Sequence, residues 1–277
     1  MTVQINDTGY AKINLALHVR ARRADGYHRL ETLFAFAEDG DQLSARLAPD
    51  FSLRMTGPFA EELAADTDNL VLRAARLLAQ SIGVSGGLAF TLEKRLPIAS
   101  GIGGGSADAA AALRLAAQLW GVATETSLLH DIAAQIGADV PSCLRSQSCF
   151  GTGTGTELTP VDAGLTGTPI LLVNPRQPCP TGPVFKAWDG IDHGPLTPMD
   201  WQSGRNDLEA PALAAEPVIA EVMAALGAQP GCHLARMSGS GATCFGLFAD
   251  PLSAAAAARA LRDAHPNWWV EAAAMAA

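Results

Sequence analysis

No Cys-x-x-Cys pair occurs in this chain, and its five cysteines, Cys143, Cys149, Cys179, Cys232 and Cys244, are odd in number. A disulfide framework or a zinc ribbon needs even, closely spaced cysteines, so reduced thiols in a cytoplasmic protein are expected. No apolar run approaches the roughly 18 residues of a membrane-spanning helix. Met1 to Ala11 lack the apolar core of a secretion signal. A basic excess is missing too: the formal net charge is −9, which argues against a nucleic-acid binder, whose footprint is a basic stripe. Lysine is scarcest of all the charges, with only Lys12, Lys94 and Lys186 against sixteen arginines. Those three either survive by chance in a biased composition or mark places where a compact ammonium must point at one atom.

What is present suits a globular protein. Hydrophobic residues make up 48% and charged residues 17% of 277 positions, enough for one large domain or two modest ones. Residues 12–20 alternate, with Ile13, Leu15, Leu17 and Val19 on one face and Lys12, Asn14, His18 and Arg20 on the other. That period predicts a half-buried strand with Lys12 and Asn14 neighbours on its polar side. Further strands are expected at 30–37, 42–47, 51–55, 88–94, 169–174, 243–248 and 268–274, and a hairpin over 148–159. Helices are expected at 69–82, 106–120, 126–136, 208–215, 218–226 and 252–264. Residues 175–201 are rich in Pro and Gly and read as long loops with one short helix, at a domain junction. Helices and strands mix without a regular βαβ repeat, so the fold class is α+β.

The densest chemical signal is Gly101-Ile102-Gly103-Gly104-Gly105-Ser106-Ala107-Asp108. Four glycines in five residues let a backbone wrap an anion, and the helix that follows aims its free amides and positive dipole end at the loop. No Gly-Lys-Ser/Thr follows, so this is not a P-loop. Ser106 stands where a dinucleotide fingerprint has its third glycine. Taken alone, the stretch is either a phosphate cradle or a flexible loop capped by Ser106 or Asp108. A second loop, Met237-Ser238-Gly239-Ser240-Gly241-Ala242-Thr243, precedes an apolar strand and by itself reads as a turn.

Three stretches then fall into one pattern: Ala11-Lys12-Ile13-Asn14-Leu15 followed by Arg23-Ala24-Asp25-Gly26-Tyr27-His28; Leu96-Pro97 through Gly101–Ala110; and Met237-Ser238-Gly239-Ser240-Gly241-Ala242-Thr243-Cys244-Phe245. Their order and spacing resemble the GHMP kinases, small-molecule kinases that lack the usual P-loop. The resemblance extends from Ala11 to Phe248. It implies a two-lobed α+β architecture, with an N-terminal, ATP-binding lobe over 1–160, a C-terminal lobe over 161–277, and the active site in the cleft between them. It implies transfer of the ATP γ-phosphate to an alcohol, and the first stretch points to a cytidine diphosphate sugar alcohol phosphorylated on its tertiary 2-hydroxyl. ATP with Mg2+ is the implied co-substrate, with no protein ligand to the metal named. The expected partners are these small molecules, with no nucleic acid and no membrane, and the expected state is a monomer or weak homodimer. A homoserine- or mevalonate-type kinase would share the loop but has no base to stack. A non-catalytic nucleotide-binding module would not need both Lys12 and Asp139.

By the same resemblance, Asp139, in Gly137-Ala138-Asp139-Val140-Pro141, is the carboxylate that takes the hydroxyl proton; from sequence alone it is equally a turn cap before Pro141. Lys12 would keep Asp139 ionised and stabilise charge on the transferring phosphoryl group. Gly101, Ile102, Gly103, Gly104, Gly105, Ser106 and Ala107 would cradle ATP, with Asn69, Lys94 and Pro97 near its adenosine. Asn14 would bond the sugar-alcohol end. Tyr27 and Phe185 would sandwich the cytosine and His28 would read its edge, because stacking tolerates any base. Thr181 and Gly239 would lie on the substrate side, Ser238 beside them. Two departures stand out: Tyr10 replaces the usual proline, and Ala107 lacks the hydroxyl common at its position.

Overall fold

The computed structural model describes residues 3–63 and 69–276. Two compact units emerge, each assembled from separated segments: the first from Met1–Ala11, Asp39–Ile98 and Gly103–Ser146, the second from Lys12–Glu38, Ala99–Ile102 and Gln147–Ala277. Residues 175–201 lie wholly inside the second unit. The change in composition there marks irregular loops around a short helix, Thr181–Lys186, and not a boundary between units.

The strands are β1 (Gln4–Arg22), β2 (His28–Ala48), β3 (Ser52–Thr56), β4 (Gly87–Glu93), β5 (Cys149–Thr152), β6 (Glu157–Pro160), β7 (Pro169–Asn174), β8 (Cys232–Met237), β9 (Cys244–Phe248) and β10 (Trp269–Ala274). In the first unit, the later part of β2 pairs antiparallel with β4, Gln42 opposite Glu93 and Ala48 opposite Gly87. Strand β3 pairs parallel with β4. Parallel neighbours need a crossover, and helix Leu70–Ile82 supplies it. The Asn69 side chain caps that helix by accepting from the Val71 amide at 2.9 Å, and Gly83 ends it with φ 68°. Helix Leu70–Ile82 packs against Gly104–Leu119, the helix that springs from the glycine run. The latter buries Ala107 to Ala112 without a break, and such small side chains let neighbours approach from several sides.

In the second unit, four antiparallel strands run in the order β10-β7-β9-β8. Helices Val218–Gly227 and Pro251–Ala264 cover them around a core that includes Leu171, Val173, Ile219, Val222, Phe248 and Leu261. The earlier part of β2 pairs with β5, Thr32 opposite Gly151, and β5 with β6. That hairpin turns through Gly153 and Gly155, at φ 68° and 92°.

Most expected elements form within a residue or two. Three differences have physical causes. The strands expected at 30–37 and 42–47 are one strand, because Glu38 to Asp41 stay extended between two apolar runs. Helix Val140–Arg145 and strand β8 were not anticipated. The helix carries Pro141 in its first turn, where proline is acceptable, and has only six residues; β8 lacks clean alternation. Strand β1 is not half-buried: from Ala11 to Val19 every residue is buried, so both of its faces are covered.

Candidate active site

The polar row of β1 therefore sits inside the second unit. Lys12 is 4% exposed and Asn14 2%. Burying such groups requires partners, and they are present. The Lys12 ammonium donates to Asn14 Oδ1 at 3.0 Å and lies 4.9 Å from the centre of the Phe34 ring. Asn14 Nδ2 donates to Thr32 Oγ1 at 2.8 Å, and that hydroxyl donates to the Ala16 carbonyl at 2.7 Å. The chain of bonds fixes Asn14's amide so that its oxygen faces the ammonium.

Two distant stretches close on this row. The Asn14 amide donates to Ser238 Oγ at 3.1 Å, Ser238 Oγ donates to the Gly101 carbonyl at 3.0 Å, and the Lys12 amide donates to the Ile102 carbonyl at 3.0 Å. Thr243 N donates to the Ser100 carbonyl at 3.0 Å. The start of the glycine loop is thus stitched to both β1 and the third motif. Gly101 must be glycine: its φ is 77°, and a Cβ there would lie 2.5 Å from the Ser238 carbonyl oxygen. Gly239, at φ 55°, meets the Gly101 carbonyl and Asn14 Oδ1 in the same way. Asn206 holds the third motif from behind, Nδ2 donating to the carbonyls of Met237 at 2.9 Å and Gly239 at 2.8 Å. Asp207 accepts the Val19 amide at 2.8 Å and pairs with Arg205, a structural post. His18 is structural too, accepting from the Arg205 amide at 3.2 Å.

A second cluster in this unit brings together two of the expected base-binding residues, His28 and Phe185. His28 is buried, with its ring 5.1 Å from Phe185 and tilted 40°. Burial, and next the Arg22 guanidinium, hold His28 below its ordinary value, so it is neutral at pH 7. Tyr27 is 62% exposed, on a turn held by Asp25. Thr181 is exposed, its hydroxyl 2.9 Å from Ser240 Oγ. Trp188 also belongs to this cluster, packing edge-on to His28 at 5.7 Å. Sequence reasoning missed it; the signal was its spacing of three from Phe185, one helical turn.

In the first unit, the glycine run becomes the N-terminus of helix Gly104–Leu119. Gly103 caps it at φ 65°, with Gly105 exposed and Ser106 half-buried at the free end. Unsatisfied amides at such an end favour an anion. Beneath lies Lys94, 2% exposed, its ammonium bonded to Asp41 and, at 2.7 Å, to Asp108. Asp41 also accepts the Arg95 and Leu96 amides at 2.6 and 2.9 Å. Burial opposes the ammonium, but the two carboxylates outweigh it and hold Lys94 above its usual value. Asp108 is pushed up to about 7, by burial first and by Asp41 as well, against the pull of Lys94. A Cβ on Gly104 would lie 3.1 Å from Lys94 Nζ, so the ammonium sits directly under the first turn of the helix. Asn69 serves as the helix cap described above, and Pro97 is buried.

Asp139 is the N-cap of helix Val140–Arg145 and is half-buried; its carbonyl accepts Ser142 Oγ at 2.8 Å. The far end of that helix is tied down by Arg114. Its guanidinium donates to the Cys143 carbonyl at 2.8 Å, to Asp7 at 2.7 Å and to the Thr8 carbonyl at 2.9 Å. Arg114 joins the loop helix, β1 and the Asp139 helix, a role that only the folded chain reveals.

The chain is similar to known proteins over nearly its whole length. Family models described as "GHMP kinases N terminal domain" and "GHMP kinases C terminal" match residues 69–147 and 191–267. A protein of Rhizorhabdus wittichii named 4-diphosphocytidyl-2-C-methyl-D-erythritol kinase is 55% identical over 95% of this chain and 92% of its own. Another of that name, from Sphingopyxis alaskensis, is 52% identical over 99% of this chain and 100% of its own. The crystal structure of a 4-(cytidine 5'-diphospho)-2C-methyl-D-erythritol kinase superposes with a TM-score of 0.84 at 34% identity, covering 99% of this chain and 100% of that one. The mevalonate kinase of Methanococcus jannaschii, at 9% identity and a TM-score of 0.68, shares the fold alone.

Proposed function

This chain belongs to the GHMP kinase family, and from that premise we propose that it transfers the γ-phosphate of ATP to the 2-hydroxyl of 4-diphosphocytidyl-2-C-methyl-D-erythritol, giving the 2-phosphate and ADP. That reaction lies in the non-mevalonate route to isoprenoid precursors. The observation that carries the acceptor is identity of about half the residues over nearly the full length of relatives bearing this name. Homoserine and mevalonate kinases share the fold at only 9–16% identity.

The chemistry asks for few groups. Phosphoryl transfer is mostly positioning and charge stabilisation. The backbone from Gly101 to Ala107 is suited to hold the triphosphate, and Gly101 is itself fixed by Ser238. Lys94 supports the loop helix from beneath and Asn69 caps the helix packed against it; we assign both, with Pro97, to the ATP side. Asp139 takes the proton of the attacking hydroxyl as the new P–O bond forms, and the P–O bond to ADP breaks. Lys12 offsets charge on the transferring group, oriented by Asn14. Asn14, Thr181 and Gly239 contact the acceptor, and Tyr27, His28 and Phe185 its base. Magnesium arrives with ATP as its counter-ion, and no residue is assigned to it.

We further assign the N-terminal role to 1–160 and the C-terminal role to 161–277, a monomer or weak homodimer, and a cytoplasmic location. No helix among the described residues is long and apolar enough to cross a membrane.

The test is ADP release from Mg–ATP with the cytidine acceptor, with homoserine, with mevalonate and with no acceptor. Turnover with the cytidine acceptor alone is expected. Turnover with homoserine or mevalonate instead would discard the cytidine subsite.

A further inference from the structure

Within the second unit, Trp188 is 4% exposed and yet its indole N–H has no partner. His28 Nε2, in the ring packed edge-on against it at 82°, is likewise buried and unpartnered. Buried indole and imidazole nitrogens ordinarily find hydrogen-bond partners, and a cluster serving only as core would use Phe or Leu. Two orphans in one aromatic cluster point to a partner that arrives from outside.

The cluster is held firmly on one side and loosely on the other. From β1, Arg22 donates to the carbonyls of Lys186, at 3.0 Å, and of Trp188, and its guanidinium lies 5.8 Å from the indole ring centre. These contacts pin the Trp188 main chain and ring together. Phe185, half-buried, lies tilted against the His28 ring with no polar tether on its own. We propose that Trp188 is a specificity-determining residue of the base subsite: when the Phe185 ring swings off His28 to stack on the base, the indole N–H and His28 Nε2 together pair with the polar edge of a cytosine. This rests on the cytidine reading above and adds to it a residue and an order of events.

The donor inventory supports cytosine. An indole N–H can only donate, while an imidazole nitrogen accepts or donates according to tautomer. Cytosine presents an amine donor beside ring-nitrogen and carbonyl acceptors. An indole donor and an accepting imidazole match one of each. Uracil puts a carbonyl where cytosine has its amine, so an accepting His28 has nothing to accept there. Arg22, by fixing Trp188, fixes the edge against which His28 rests; it is a positioning residue.

The experiment is titration of the full-length protein and of Trp188→Phe and Arg22→Gln with cytidine 5'-diphosphate and uridine 5'-diphosphate, alongside steady-state kinetics. Trp188→Phe keeps a ring and removes the N–H. It is expected to weaken cytidine diphosphate binding by about fivefold to twentyfold, the loss of one hydrogen bond to a bound ligand. KM for the acceptor should rise in parallel, while kcat at saturation and KM for ATP stay put. Arg22→Gln should lower the ratio of cytidine to uridine affinity. A Trp188→Phe protein that binds cytidine diphosphate as the parent does overturns the proposal. If that variant does not fold, an unchanged ratio in folded Arg22→Gln overturns it instead. A parent protein that binds ATP but not cytidine diphosphate refutes the cytidine reading itself, a distinct outcome.

Discussion

Replacing Lys94 with methionine tests how the phosphate loop is supported. Lys94→Met keeps much of the side-chain volume but removes the one cation between Asp41 and Asp108, both buried. At an effective dielectric of about 20, a unit charge pair at the 2.7 Å of Lys94 and Asp108 amounts to about 6 kcal/mol before desolvation. After desolvation of the ions, breaking one partner of a buried pair costs about 3–5 kcal/mol, because the remaining charge is stranded. For a 277-residue chain the unfolding entropy is about 0.6 kcal/mol per kelvin. The melting midpoint should therefore fall by about 5–9 °C. Adding Asp108→Asn should restore at least half of the loss, since the amide leaves no second stranded carboxylate. Thermal unfolding followed by circular dichroism, with the parent and both variants in one buffer well above the Asp108 value of about 7, is the assay. A single variant melting within about 2 °C of the parent would show that the triad is not charged as described. So would a double variant no better than the single.

Four further outcomes are expected. Asp139→Asn should leave KM for ATP within about twofold and lower kcat by about 10²–10⁴, the usual worth of a positioned general base; steady-state kinetics decide, and a near-normal kcat removes Asp139 from that role. Gly101→Ala, with φ 77° and a Cβ 2.5 Å from Ser238 O, should lose about 2 kcal/mol or more of stability. Gly105→Ala, whose nearest neighbour would be Leu70 Cδ1 at 3.7 Å, should be neutral or slightly stabilising in the same melts. The pH dependence of stability should carry a signature of Asp108. Its folded value of about 7 exceeds the ordinary 3.8, so the folded state holds this proton more tightly than the unfolded chain does. The stability contributed by that proton is full below 3.8 and is lost as pH rises through about 7. Asp108→Asn should flatten that part of the profile, and an unchanged slope between parent and variant would contradict the raised value.

The sequence on its own determined the parts that depend on short range. Alternation identified β1, an apolar pattern stopping at Gly83 marked a helix, and the glycine run marked a helix start with free amides. Each follows from backbone geometry within a few residues; the family came instead from resemblance, carried by the order of three motifs between Ala11 and Phe248. What neighbours do to one another was decided by tertiary structure. Lys12 and Asn14 read as a polar, solvated face, but they are buried, because the loop start and the Ser238 motif close over them. Lys94 reads as a ligand-side cation, yet its ammonium is taken up by Asp41 and Asp108, 53 and 14 positions away. Trp188 and Arg114 carried no motif at all. Their roles come from contacts with Arg22 and His28 in one case, and with Asp7 and Cys143 in the other. Burial, partner choice and the resulting shift of a proton equilibrium depend on residues far apart in the chain, and periodicity within one segment does not encode them.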